Sequence, residues 1–156
     1  MVVISLVIIG CYSIPQEIND RAVSIVRDYL EALRTNDYSR IISLTWIWKQ
    51  DEPINTETNI NDLGVLSLTI KIIEVSKKET KRIQKMYSNS DLANRYGWSN
   101  NFIKNNMIAV FAQYEIEYDN TKVPNDGGEI LQYFYLIKEK EGSSCLIWTQ
   151  SYDVNE

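Results

Sequence analysis

Between Ile108 and Tyr118 the chain alternates with a period of two. Ile108, Val110, Ala112, Tyr114, Ile116 and Tyr118 take one parity, and Phe111, Gln113, Glu115 and Glu117 the other. Only an extended backbone sends successive side chains to opposite faces, so this stretch predicts a strand with one buried face. Pro124-Asn-Asp-Gly-Gly128 supplies residues that tolerate positive φ and predicts a turn. Ile130 to Lys138 is apolar on both parities and reads as a central strand. Glu141-Gly142-Ser143 turns the chain again, and Cys145 to Tyr152 closes it as a final strand. Together these runs predict an antiparallel meander.

Upstream, the period changes. Ile18, Ala22, Val26, Tyr29, Leu30 and Leu33 recur at three- and four-residue spacing, with Arg21, Arg27, Asp28, Glu31 and Arg34 between them. That is an amphipathic helix from about Pro15 to Thr35, opened by a Ser13-x-x-Gln16 capping box. Asn36-Asp37 can end it and cap a shorter helix through Ile41, Ile42 and Leu44. Trp46-Ile47-Trp48 and a polar loop from Lys49 to Asn61 come next. Leu63 to Val75 then predicts a long strand in which Leu66, Leu68, Ile70 and Ile72 share a face. Ser76-Lys-Lys-Glu79 is a second capping box, starting a helix with Ile83, Met86 and Tyr87 as its stripe. The Asn-rich stretch Ser88–Asn106 has weak periodicity and reads as mostly loop with a few helical turns.

Helices first and a meander last give an α+β class: N-terminal helices packed on one face of a curved antiparallel sheet. The order suits the cone-shaped nuclear-transport-factor-like architecture, or a cystatin-like one. No repeat, coiled coil or second domain interrupts the 156 residues, which suit a single core.

The head of the chain stands apart. Met1 to Cys11 is uncharged and apolar, and Ile8-Ile9-Gly10-Cys11 resembles the lipobox of a bacterial lipoprotein export signal. On that reading residues 1–11 are a signal remnant ending at a lipidated Cys11, and residues 12–156 form one domain. The run lacks the basic n-region of such a signal, because the first Lys or Arg is Arg21. It is also well short of the roughly 20 apolar residues that span a bilayer. The alternative reading is a short buried strand.

Composition narrows the chemistry. A net charge of −5, with no basic cluster interleaved with aromatics, argues against nucleic acid as a partner. Lys77, Lys78, Lys81, Arg82 and Lys85 recur at helical spacing and read as a solvated helix face. Histidine is absent, which removes the usual general base, the Ser-His and Cys-His nucleophile pairs and the commonest zinc ligand. No phosphate-binding Gly loop, Cys/His metal cluster or EF-hand loop occurs, and no cofactor is expected. Of the two cysteines, Cys145 reads as a small core residue if Cys11 is acylated; otherwise a Cys11–Cys145 disulfide is open to the chain.

Val110-Phe-Ala-Gln-Tyr-Glu-Ile-Glu-Tyr118, the Asp126-Gly127 loop, Tyr133-Phe-Tyr-Leu-Ile-Lys138 and Leu146-Ile-Trp148 resemble a domain-of-unknown-function family of Gram-positive lipoproteins, mainly clostridial and bacillus-type. The resemblance covers Ile108 to Tyr152 and departs from the family's Trp-Gly close, where this chain has Tyr152. It implies the fold and a membrane address through a lipid anchor, and no reaction. A cone of this kind encloses a pocket between sheet and first helix, with Tyr114, Tyr133, Tyr135 and Trp148 as candidate pocket or partner-surface residues. The expected role is non-catalytic binding of a protein or small ligand at the cell envelope. One rival is a small-molecule enzyme with a buried carboxylate and tyrosine, drawing on Asp28, Glu31 or Glu115. Another is an accessory or immunity-type interaction protein.

Overall fold

A computed structural model describes residues 16–46, 62–138 and 143–152. Cys11 with the rest of the head, the Ser13 cap, Trp48 with the loop to Asn61 and the Glu141-Gly142 part of the last turn lie outside the described residues. The elements are α1 (Gln16–Arg34), α2 (Tyr38–Leu44), β1 (Val65–Val75), α3 (Lys77–Tyr87), α4 (Asp91–Tyr96), α5 (Asn100–Asn106), β2 (Met107–Tyr118), β3 (Gly128–Lys138) and β4 (Cys145–Ser151). The strands form one antiparallel sheet in the order β1-β2-β3-β4. The α+β class and the meander are as the sequence predicts, with β3 in the interior of the sheet.

Helix α1 buries Ala22, Val26 and Leu30 completely, one turn apart, against β1, β2 and β4. Its partners on that face include Ile108, Val110, Ala112, Ile116, Phe134, Leu136 and Ile147. The helix stops because Asn36 takes a left-handed φ of 56°. Asp37 N then donates to Ala32 O (2.8 Å) and Asn36 N to Leu33 O (3.1 Å), the pair of bonds of a Schellman motif. Asn36 is preferred here over glycine for its side chain: Oδ1 accepts from Leu63 N (3.0 Å) and Nδ2 donates to Val65 O (3.3 Å). One residue thereby ends α1 and ties it to the start of β1. Asp37 next caps α2 by accepting from Arg40 N (2.9 Å).

Strand β1 departs from the predicted face. Its register slips between Val65 and Ser67 and again between Ile70 and Ile72, at two bulges. Each bulge inserts one residue and reverses the parity. Leu66 is 66% exposed and Leu68 7%, while Ile72 is exposed and Ile73 joins the core. The set packed toward α1 is Val65, Leu68, Ile70, Ile73 and Val75. The bulges, with the outward Lys71, also blunt an edge that would otherwise be free to pair.

A second helical layer covers one end of the opposite sheet face, where the sequence predicted helices on one face only. Helix α3 packs on β2, and α5 on β2 and β3. Their core holds Trp46, Ile83, Ala93, Trp98, Ile103, Met107, Ala109 and Ile137. Helices α4 and α5 replace the predicted loop. Each is about two turns or less, too short to persist by propensity, and is fixed by a serine cap and by packing. Ser90 accepts from Ala93 N (3.1 Å) and Ser99 from Phe102 N (3.0 Å). Gly97, at φ 68°, ends α4. Among the described residues no helix is long and apolar enough to cross a membrane.

Candidate functional site

Alternation divides the aromatic candidates between two faces. Tyr114 lies on the α1 face, buried, with its hydroxyl donating to Gln132 Oε1 at 2.7 Å. Tyr133 and Tyr135 lie on the other face, ring centroids 6.5 Å apart and nearly parallel. Trp148 is the extra residue at a register slip, where Leu136 pairs Ile147 and Tyr135 pairs Thr149. Its ring meets Tyr87 (4.7 Å) and Trp98 (5.7 Å) edge-on. Tyr133, Tyr135 and Trp148 thus come together around the second core, and Tyr114 does not join them.

A cleft of about 470 Å³ opens where α1 and α2 meet β4. Helix α1 contributes Tyr29 and Leu33, α2 contributes Tyr38 and Ile41, and β4 contributes Ile147, Trp148, Thr149 and Gln150; Thr45 and Leu63 are the other described residues of the lining. Trp148 is the one sequence-predicted candidate that reaches it. Among the described residues the wall is aliphatic and aromatic, and its polar groups are neutral.

Behind the cleft runs a buried polar chain. Tyr114 donates to Gln132, which is 1% exposed; Gln132 Nε2 donates to Gln150 Oε1 at 2.7 Å. Burial raises the pKa of Tyr114, helped by the neighbouring Tyr152, Tyr118 and Tyr29. Burial likewise raises Tyr29, against the lowering effect of its Gln150 bond and with a smaller push from Tyr152. Both are neutral phenols at physiological pH. Sequence reasoning missed this chain because Gln132 sits at a core parity in a strand that reads as apolar. Its signal was that parity: a glutamine among Phe134 and Leu136 needs partners.

The second polar cluster also went unseen. Ser76 caps α3 as predicted, accepting from Glu79 N (3.2 Å), yet Glu79 does not close the capping box. Ser76 N donates to Ala109 O (2.9 Å) instead, and Ala109 N donates to Thr80 Oγ1 (2.9 Å), stitching α3 to β2. This frees Glu79, 8% exposed, to accept from Arg82 Nη2 (2.7 Å), Arg82 Nε (2.8 Å) and Tyr135 Oη (2.7 Å). The Arg82 bond holds the Glu79 carboxyl below its ordinary range; burial opposes it, and the Tyr135 bond adds to it. This is the carboxylate–tyrosine pair that an enzyme reading asks for, with its ionisation pushed the wrong way for a general acid.

The other carboxylates considered are ion-paired at the surface: Asp28 with Arg40 (2.8 Å), Glu31 with Arg34, and Glu115 with Lys71 (3.5 Å). Lys77, Lys78, Lys81 and Lys85 are exposed on α3. Cys145 is buried beside α1, and burial raises its thiol pKa. Among the described residues no group of His, Cys, Asp and Glu is placed to hold a metal ion. No family model matches the chain, and neither a curated protein nor a solved structure is similar to it.

Proposed function

We propose that this chain is a lipid-anchored domain of the bacterial cell envelope, tethered through Cys11, that binds a small ligand without transforming it. On this reading it belongs with the Gram-positive lipoproteins it resembles, and its sheet wraps α1 as a cone. The observation that carries the binding role is the cleft between α1, α2 and β4, with its apolar wall and neutral polar groups. Ligand sites are commonly of this kind, about 300–1,000 Å³ and mostly apolar with a few placed polar groups. The ion-paired state of Asp28, Glu31, Glu79 and Glu115 supports binding over acid–base catalysis. The anchor rests on Ile8-Ile9-Gly10-Cys11. Its test is expression in a Gram-positive host supplied with an alkyne-bearing palmitate. Label on the wild-type chain and none on Cys11→Ala is expected; equal labelling of the two would sink the anchor.

A second reading, the interaction protein, has its own observation. Beyond the cover of α3 and α5, the outer sheet face carries exposed Ile72 and Leu131, both paired across Gln113, beside the cross-strand pair Phe111 and Tyr133. Recovery of a membrane protein by the wild type, abolished by Leu131→Glu, would favour that reading over the cleft.

A further inference from the structure

The outer face of the sheet is laid out in rows that run across the strands. Nearest to α3 are Glu74, Phe111 and Tyr133, followed by Ile72, Gln113 and Leu131. Thr69, Glu115 and Glu129 form the next row, and Ser67 with Glu117 the last. Ile72 is 43% exposed and Leu131 39%, so the aliphatic row lies open to solvent. Exposed Glu74, Glu115, Glu117 and Glu129 stand around it, against Lys71, which is shared by Glu129 (2.8 Å) and Glu115 (3.5 Å). This half of the face is apolar in the middle and acidic at its borders.

The covered half has the opposite character. Helix α3 packs on β2 through Glu79, Thr80 and Ile83, and turns Lys77, Lys78, Lys81 and Lys85 to solvent with exposed Met86 beside them. Its eleven residues hold five of the chain's sixteen bases, in a protein of net charge −5. A helix is about 10–12 Å across, so the helical layer rises from the open sheet as a step of that height. The raised half of one molecule therefore matches the recessed half of another in charge and in shape. A two-fold axis at the step sets α3 of each copy on the open sheet of the other and makes both contacts at once.

We infer that this face joins two copies of the chain, with α3 of each seated on the Ile72–Leu131 row of the other and its lysines against Glu74, Glu115, Glu117 and Glu129. The inference rests on the outer face being an interaction surface and is independent of the cleft. An anionic membrane is the competing occupant. It would meet the lysines, but it would leave the aliphatic row uncovered and bring lipid phosphates toward four carboxylates. With few apolar side chains at its centre, the dimer is of the transient kind, steered by charge and weakened by salt.

The test is sedimentation velocity of the full chain over a concentration series, with two charge-reversed variants whose circular dichroism matches the wild type. Lys78→Glu with Lys81→Glu makes the helix face acidic, and Glu74→Lys with Glu117→Lys makes the sheet face basic. Both leave the ion pairs of Lys71 and Arg82 in place. The wild type should dimerise, less so in high salt, and Leu131→Glu should abolish the dimer. Each charge-reversed variant alone sets like charges together and should lose about tenfold or more in affinity. Mixed, the two restore opposite charges at both contacts and should associate to within about threefold of the wild type. Variants that self-associate like the wild type, a mixture that stays monomeric, or a dimer indifferent to Leu131→Glu would each overturn the inference. A monomeric wild type also overturns it, and two further measurements then separate the causes. Lysine-dependent binding to phosphatidylglycerol vesicles would assign α3 to the membrane, whereas a membrane protein recovered through Leu131 would leave the face an interaction surface for another partner. A monomer that does neither removes that reading of the face as well.

Discussion

Tyr135→Phe should destabilise the protein by an amount that depends on pH. The substitution removes one oxygen and keeps the ring stacked by Tyr133. The lost bond is the 2.7 Å donation to Glu79 Oε1, together with a weaker contact from Arg82 Nη2 at 3.3 Å. A hydrogen bond to a charged group contributes about 1.5–3 kcal/mol. Glu79 keeps both of its Arg82 bonds in the variant, so the lower end applies, about 1.5–2 kcal/mol at pH 7. For a domain of this size that corresponds to a Tm lower by about 3–8 °C. The sign of the pH effect follows from the direction of the Glu79 shift. Its folded-state pKa is depressed below 4.5, first by Arg82 and also by Tyr135, against desolvation. The ionised pair therefore stabilises fully above pH 4.5, and that stabilisation is lost as pH falls through the lowered folded value. As pH falls through that lowered value, the deficit of Tyr135→Phe should shrink toward that of a neutral hydrogen bond, about 1 kcal/mol or less. Urea unfolding of wild type, Tyr135→Phe, Glu79→Gln and the double variant at pH 7 and down through the acid range measures it, with the coupling read from the cycle. A deficit under about 0.5 kcal/mol at pH 7, or one that stays constant until the wild type itself unfolds in acid, would refute the account.

Two further outcomes are expected. Leu68→Ala should cost about 2–5 kcal/mol and Leu66→Ala no more than about 0.5 kcal/mol, because the bulge sends Leu66 outward; similar costs by thermal unfolding would mean that β1 keeps an unbroken alternation. Gln132→Leu should cost about 1–3 kcal/mol by stranding the buried Tyr114 hydroxyl, and adding Tyr114→Phe should recover most of it; a double variant as unstable as the sum would deny the chain.

Much of the fold was legible because most elements carry their period in plain sight. The stripe of Ala22, Val26 and Leu30 and the alternation from Ile108 to Ile116 each match one element, and one face of it is buried. Caps were readable for a similar reason: Asp37 and Ser76 act within three residues of themselves. Helices α4 and α5 were not readable, since six or seven residues hold too few turns to show a stripe. The Ser90 and Ser99 caps were their one local signal.

The candidate site was less legible. Tyr114, Tyr135 and Trp148 lie on strands, but which face each occupies depends on register. Their partners Gln132, Glu79 and Tyr87 lie 18, 56 and 61 residues away respectively, separations across which sequence spacing carries no information.

By itself the sequence determined the α+β class, the meander, and the first helix and its end. These follow from local periodicity and from residues acting on near neighbours. Only the tertiary structure decided which β1 residues face the core, that α3 to α5 cover the second face, and that Glu79 abandons its cap for Arg82 and Tyr135. It alone brought Tyr114, Gln132 and Gln150 into one chain behind a cleft. A bulge, a helix docking and a buried hydrogen bond are settled by what lies opposite in space. That neighbour is chosen by the packing of the whole domain.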